Sequence, residues 1–191
     1  MSRASWITFA LVVLIVAGVV ALAMHLRSER PAPTELDGPS APSAQSDERG
    51  VFEGSLYFPG AGGRLFTERR ELPDGTTQEL VGAMIEALLA GPASGSTLRA
   101  PLPEGTSVGS VFAMDDLVYL DLRTPEGEPP PSFGSKRELL AVYSLVDTVA
   151  LNVDGVEGVV LMWNGRQQPT FAGHVDTTRP LRPVPELIVE R

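Results

Sequence analysis

The segment between Arg3 and Arg27 contains no residue with a permanent charge. Its apolar run over residues 6–26 has the length, about 20 residues, that spans the hydrocarbon core of a bilayer. A buried helix of a soluble domain rarely runs this long without one polar face. The alternative is a secretory signal cleaved after the small-x-small sequence at residues 21–23. We predict an uncleaved transmembrane anchor over residues 1–26, with the rest of the chain outside the cytoplasm.

Residues 27–53 are rich in Pro, Ser, Ala and acidic side chains. Such a composition offers too little apolar surface to offset the entropy lost on ordering the backbone. Its prolines favour semi-extended conformations. We predict that residues 27–53 form a disordered spacer that holds a domain away from the membrane.

The charge and cysteine content exclude several classes of function. The chain has 24 acidic and 15 basic residues, a net charge of −9. Nucleic-acid binding requires the opposite charge, so we expect no nucleic-acid partner. The absence of cysteine excludes disulfides, thiolate metal sites and a lipidated N-terminal cysteine. Only two histidines remain for a zinc site, and we expect no metal and no cofactor.

The hydrophobic pattern predicts one domain over residues 54–176, followed by a loosely attached Pro-rich tail over residues 177–191. Two helices are each predicted to begin with a capping box, Thr76 with Glu79 and Ser135 with Glu138. The predicted elements are strands at 55–58 and 64–72, a helix to about 90, a hairpin of strands at 107–114 and 117–122, a helix at 135–150, and strands at 158–163 and 167–171. The apolar stripe of the second helix is Leu139, Val142, Tyr143, Val146 and Val149. This order indicates an α+β fold, with both helices packed on one face of a small mixed or antiparallel sheet.

The predicted domain contains a series of short motifs, each of which occurs once. They are LYFP at 56–59, LLAGP at 88–92, PLPEGT at 101–106, VYLDL at 118–122, ELLAVY at 138–143, VVLMWNG at 159–165 and GHVD at 173–176. In this order the chain resembles the GerMN domain, named from a sporulation and spore-germination protein of the GerM type. The resemblance assigns structural roles to its motif residues, which are Gly91, Pro92, Pro103, Gly105, Gly173, His174 and Asp176.

The resemblance implies a bacterial envelope protein with a sandwich fold similar to ring-building domains and no established enzymatic activity. The chain departs from the family in two places. It has no lipidation cysteine and uses the predicted transmembrane helix instead. Asp147 stands where the family often has Asn. Related domains occur in bacteria that do not sporulate, so the resemblance does not determine the process served.

Two patterns suggest chemistry but lack its structural context. Residues 105–109 spell G-x-S-x-G, but a strand is predicted after Ser107 where a serine hydrolase requires a helix. Residues 60–63 are Gly-rich, but no helix follows them to offer free N–H groups to a phosphate. We interpret the first pattern as accidental and the second as a turn between strands, and we predict no catalytic residue.

The remaining candidates for ligand binding are also better explained structurally. His174 and Asp176 are too few to hold zinc, and His174 is predicted to fasten the segment after the last strand to the domain. Asp115 and Asp116 are interpreted as a solvated hairpin tip, since a calcium site requires several more oxygen ligands.

Side-chain alternation divides the predicted sheet into two faces. One face carries Val111, Ala113, Val118, Leu120, Leu122, Val159, Leu161 and Trp163 and is predicted to pack under the helices. The opposite face is unusually apolar for a solvated sheet. It carries Phe112, Met114, Leu117, Tyr119, Val160 and Met162. Either other parts of the chain cover this second face, or it binds a partner, with Phe112 and Tyr119 as anchors.

These observations favour a non-enzymatic, extracytoplasmic interaction or assembly module at the inner membrane, with an envelope protein or a second copy as its partner. The alternative is a ligand-sensing or peptidoglycan-binding domain. A ligand site should appear as a concave pocket with convergent polar groups. An interaction module should instead expose an apolar patch.

Overall fold

The computed structural model describes residues 50–125, 128 and 132–189. The predicted anchor and residues 27–49 of the predicted spacer lie outside this range. Within the described range, every helix is too short or too polar to cross a membrane.

Six strands and two helices make up the described chain. They are β1 (Val51–Pro59), β2 (Leu65–Pro73), α1 (Thr77–Leu89), β3 (Ser107–Met114), β4 (Leu117–Arg123), α2 (Ser135–Ala150), β5 (Gly158–Trp163) and β6 (Ile188–Val189). A short 3-10 turn, Ala61–Gly63, joins β1 to β2. The turn between β3 and β4 places Asp115 at φ 54°, consistent with the predicted two-residue hairpin connection.

The strands form two three-stranded sheets. In the first, β2 pairs antiparallel with β1 and parallel with β6. In the second, β4 pairs antiparallel with β3 and parallel with β5. Each helix contacts strands of both sheets. The α+β class is therefore confirmed, whereas the prediction of one sheet is wrong because β1 does not pair with the strands of the second sheet.

Polar side chains of α2 occupy the outer edge of β1 and explain why the two sheets stay separate. Ser144 Oγ donates a hydrogen bond to the carbonyl of Tyr57, and the Tyr57 N–H donates to Thr148 Oγ1 at 3.2 Å. Just beyond the helix, the Asn152 amide bonds both the N–H and the carbonyl of Ser55, each at 2.8 Å. These side chains recur every four residues and so share one helix face. They use the main-chain groups that another strand would need.

The inward face of the second sheet is as predicted. Val118, Leu120, Leu122, Val159, Leu161 and Trp163 are buried, and Val111 and Ala113 pack against the same core. The stripe predicted for α2 is correct except at Leu139, which is 37% exposed. The buried positions of this helix instead include Leu140, Ala141 and Leu145. Burial extends around the helix because α2 packs against β1 as well as β5.

The two helices begin differently. In α1, Thr76 and Glu79 form the predicted capping box. The second predicted box is absent, since Gly134 precedes α2 as the N-cap and no side chain caps the helix. The Glu138 carboxylate does not reach back to the helix start. It binds main-chain N–H groups of the segment that follows the last long strand.

The predicted ends of the domain also require correction. β1 begins at Val51, so residues 51–53 belong to a strand and not to a disordered spacer. Phe52 lies opposite Leu72 in the sheet and packs against the core. The strand predicted at 167–171 is reduced to isolated bridges, and Pro169 within it has no N–H to donate to a ladder.

Residues 177–189 are not loosely attached. Thr177 is buried, and Leu181 exchanges two main-chain hydrogen bonds with Val159 at 2.8 and 2.9 Å. The N–H of Val184 donates to Asp147 Oδ1 at 2.9 Å, and β6 adds to the first sheet. The prediction failed because β6 is only two residues long and the Pro-containing segment before it carries no periodic pattern. Whether residues 54–176 fold alone remains a prediction.

Candidate functional site

Four apolar side chains of the second sheet form an outward surface, here called the hairpin patch: Phe112, Met114, Tyr119 and Met162. Phe112 and Met114 are 60% and 58% exposed, and the other two are partly exposed. Phe112 lies directly opposite Tyr119 in the ladder, so both point to the same face. Val160, predicted to share this face, is buried by the chain itself.

The outer edge of β3 lies beside the hairpin patch. In the hairpin, the main-chain groups of Phe112 bond to β4, while those of Val111 and Ala113 point away from it. These main-chain groups therefore have no hydrogen-bond partner in the part of the chain that the structure describes.

A second candidate is a cleft of about 680 Å³ between the β1–β2 turn, the loop near residue 99 and the first turn of α2. Its lining includes three basic side chains and no acidic one, and we call it the basic cleft. The basic residues are Arg99, Lys136 and Arg137, and the others are Pro59, Gly60, Ala61, Gly62, Gly63, Thr97, Ala100, Pro101 and Leu140.

Each of the three basic residues makes a contact that the structure records, through the main chain for Arg99 and through the side chain for Lys136 and Arg137. The N–H of Arg99 donates to the carbonyl of Pro59 at 2.9 Å. Lys136 Nζ lies 3.4 Å from the carbonyl of Gly62. The Arg137 guanidinium lies 4.6 Å from the ring centroid of Phe133, a cation–π geometry. Within the described residues, none of the three cations forms an ion pair with a carboxylate.

The backbone conformation of Gly63 favours glycine where the β1–β2 turn meets α2. Gly63 has a φ of 73°, and a Cβ there would lie 1.9 Å from Lys136 Cε. A Cβ on Gly60 would lie 2.5 Å from the Phe66 ring. The interpretation of residues 60–63 as a turn between strands is confirmed. However, the fold brings the start of α2 beside this turn, although α2 begins more than 70 residues later in the chain.

Sequence reasoning missed the basic cleft because its parts are distant in the chain. One signal was present. Lys136 and Arg137 occupy the first turn of α2, where the helix dipole disfavours cations by about 0.3–1 kcal/mol each. Two adjacent cations at this position are therefore unfavourable for the helix itself.

The buried Glu138 and the exposed His174 form a clasp. The fully buried Glu138 carboxylate accepts hydrogen bonds from the N–H groups of Ala172, His174 and Val175 at 2.8 to 3.0 Å, and its Oε2 lies 2.8 Å from His174 Nδ1. Burial raises the pKa of this carboxyl, but the hydrogen bonds outweigh it and hold the pKa below its usual range. His174 thus joins the segment after β5 to α2.

The fold does not bring the other candidate residues, Ser107 and Asp176, together into a reactive site. Asp176 accepts hydrogen bonds from the N–H and hydroxyl of Thr178 at 2.8 and 2.7 Å, apart from the Glu138 clasp. Ser107 is the exposed first residue of β3. The described residues include no group of three His, Asp or Glu side chains placed to hold a metal ion.

The remaining motif residues shape loops. Gly91, Gly105 and Gly173 have φ values of 92°, 85° and 117°, a region in which other residues are strained. Gly91 follows Ala90, the C-cap of α1, and its carbonyl accepts a hydrogen bond from Arg70 at 3.1 Å. Two motif prolines lie in the same loop region. Pro92 follows Gly91, and the carbonyl of Pro103 accepts a hydrogen bond from the N–H of Thr106.

The structure is similar to three solved structures at low sequence identity. A Clostridium perfringens protein described as a lipoprotein shares 20% identity with a TM-score of 0.52, and the match covers 74% of this chain and 95% of that one. The tandem GerMN domains of the sporulation protein GerM from Bacillus subtilis share 20% identity with a TM-score of 0.56, over 70% of this chain and 46% of that one. The first GerMN domain of GerM alone shares 19% identity with a TM-score of 0.51, over 68% and 96%.

No curated protein matches the sequence. The structural similarity establishes a common fold. A family model, Germane, described as sporulation and spore germination, matches residues 55–169, which is more than half of the chain and spans β1 to β5. The chain therefore belongs to the Germane family of sporulation and spore germination domains, as its motifs predicted.

Proposed function

We propose that this domain is a non-enzymatic interaction or assembly module of the bacterial cell envelope, which docks a partner protein through the hairpin patch and the outer edge of β3. The observation that carries the proposal is the exposure of Phe112 and Met114, at 60% and 58%. Large apolar side chains grouped on a surface mark interaction sites. Aromatic and Met side chains are enriched in such interfaces.

The edges of the two sheets support docking by strand addition. The outer edge of β1 is bonded to α2, and β5 exchanges hydrogen bonds with Leu181. By comparison, the main-chain groups of Val111 and Ala113 on the outer edge of β3 have no hydrogen-bond partner among the described residues. An open edge binds an extended segment through main-chain hydrogen bonds, while neighbouring side chains supply specificity. Phe112 and Met114 would then flank the added strand.

The apolar run over residues 6–26 supports a single-pass membrane anchor, with the domain outside the cytoplasm. A lipoprotein description of a structural neighbour is consistent with an envelope location for this fold. Family membership favours a role in sporulation or germination. We expect the chain to remain in the membrane after alkaline extraction, and recovery of the full-length chain in the soluble fraction would exclude the anchor.

Photo-crosslinking in the native cells tests the docking surface. A crosslinker at Phe112 should capture a partner, and a crosslinker at the similarly apolar Leu151, which is 40% exposed, should not. Phe112→Lys with Met114→Lys should abolish capture without changing the melting temperature. The control, Leu139→Lys with Leu151→Lys, places the same charges on other exposed apolar positions. Equal capture by both double variants would reject the hairpin patch as the docking site.

A ligand-binding function is the second candidate, and the basic cleft favours it. The cleft is concave and three basic residues line it, and concave sites with polar groups are typical of small-molecule binding.

A further inference from the structure

We propose that the basic cleft binds a phosphate group carried by a larger ligand. The proposal rests on the cleft and its cations, and it is independent of docking at the hairpin patch.

The charge of the cleft contrasts with the rest of the domain. Residues 54–176 contain 16 acidic and 8 basic residues, so a basic side chain has many carboxylates to pair with. Four other arginines of the described chain do form ion pairs: Arg69, Arg70, Arg123 and Arg182. The three cations of the cleft have no such partner within the described residues, and neither do Arg64, Arg166 and Arg179. The cleft differs from those positions because three basic residues and no acidic one line the same concavity. Like charges grouped without a counterion destabilise a fold, and an anion bound between them removes that cost.

The donors suit phosphate better than carboxylate. Arg99 comes from one segment, and Lys136 and Arg137 come from another, so two separate segments supply the basic lining of the cleft. A phosphate offers at least two accepting oxygens beyond its ester link and up to two negative charges, whereas a planar carboxylate carries one charge. Arginine binds phosphate through its planar fork, and lysine adds a compact point charge.

The size of the cleft shows why the phosphate should belong to a larger molecule. Small-molecule sites occupy about 300–1,000 Å³, and the cleft holds about 680 Å³, far more than one phosphate fills. The rest of its lining consists of the glycine turn and of Pro, Ala, Thr and Leu residues. Such a surface would contact an uncharged ligand body while the cations hold the phosphate.

Calorimetric titration of the purified full-length chain, kept in neutral detergent, tests the proposal. The probes are inorganic phosphate, glycerol 3-phosphate, acetate and detergent micelles doped with phosphatidylglycerol. We expect glycerol 3-phosphate to bind more tightly than inorganic phosphate, and acetate to bind at least about tenfold more weakly. Stronger binding of the doped micelles than of glycerol 3-phosphate would identify a lipid headgroup as the source, and the reverse would identify a soluble ligand.

The variants separate this site from general electrostatic attraction. Lys136→Gln with Arg137→Gln should weaken binding of glycerol 3-phosphate by about tenfold or more. The matched control is Arg166→Gln with Arg182→Gln, which removes two exposed charges elsewhere and should change binding less than about twofold. Arg99→Gln gives a single-site test on a separate segment should the double variant fail to fold. Each phosphate-site variant should still capture a partner at the hairpin patch.

Three outcomes would overturn the proposal. They are no detectable binding of any phosphate probe at about 10 mM, acetate binding as strong as phosphate binding, and equal losses in the cleft and control variants. Failure of partner capture at the hairpin patch would leave these measurements unaffected.

Discussion

Glu138 Oε2 and His174 Nδ1 are 2.8 Å apart, and the same carboxylate accepts three main-chain N–H groups of the segment that contains the histidine. The glutamate therefore closes a loop onto α2 across 36 residues of sequence. If the Glu138 side chain is changed, the groups that are hydrogen-bonded to it lose their partner.

Glu138→Gln should lower the free energy of unfolding by about 3 kcal/mol. The amide N–H₂ of glutamine would face main-chain N–H groups that now donate to a carboxylate oxygen, so these donors would lose their acceptor. Chemical denaturation measures the loss, and Glu104→Gln, on an exposed loop, serves as the control. The wild-type pKa lies below its ordinary value of 4.5, so this stabilisation is present above that pH and is lost as the pH falls through the folded-state pKa. An unchanged stability of Glu138→Gln at pH 7 would contradict the clasp.

Asp147→Asn should stabilise the protein at neutral pH. Burial raises the pKa of Asp147 to about 6; the Val184 N–H opposes the rise, and the Glu186 carboxylate adds to it. Asp147 Oδ2 has no hydrogen-bond partner within the described residues. The ionised carboxylate therefore costs about 3 kcal/mol at pH 7 to 8.

The pH dependence of this variant has a defined sign. The wild type binds a proton at Asp147 on folding between its ordinary pKa of 3.8 and about 6, so its stability from this group rises as the pH falls through that window. The Asn variant should lack this gain. Thermal melts at pH 5 and pH 8 measure it, and a larger advantage of Asn at pH 5 would reverse the assignment.

Asn152→Asp should cost about 1–3 kcal/mol, because the carboxylate cannot donate to the Ser55 carbonyl as the amide does. Thr148→Val, which removes the acceptor for the Tyr57 N–H, should cost a similar amount. Both changes uncover main-chain groups on the edge of β1, and exposed edges promote association. Denaturation curves and light scattering check the two effects. Leu151→Asp, an exposed neighbouring position, should leave both unchanged.

Removal of residues 177–191 should destabilise the domain. The deletion eliminates β6, the Leu181 bridge to β5 and the N–H that Val184 donates to Asp147. We expect a loss of at least about 2 kcal/mol, from the buried Thr177 and the unpaired buried carboxylate together. A thermal melt of the truncated chain measures it. A melting temperature equal to that of the full chain would show that residues 54–176 suffice.

Local signals in the sequence were sufficient for several elements. The Thr76–Glu79 capping box, the two-residue turn at Asp115 and Asp116, and the apolar alternation of β4 and β5 each lie within a short window. Hydrogen bonds and side-chain periodicity act over such windows, so α1, the hairpin and β5 were predicted at their correct positions. The order of short motifs likewise predicted the Germane family.

The tertiary structure decided what depends on contacts between distant segments. Leu139 is exposed and Leu140 is buried because α2 lies along the edge of β1, which no helical periodicity encodes. The residues after 176 became part of the first sheet through a strand of two residues. The basic cleft joins Arg99 to Lys136 across a turn near Gly63. Periodicity reports which way a side chain points from its own backbone, whereas the partner it meets there is set by packing of the whole chain.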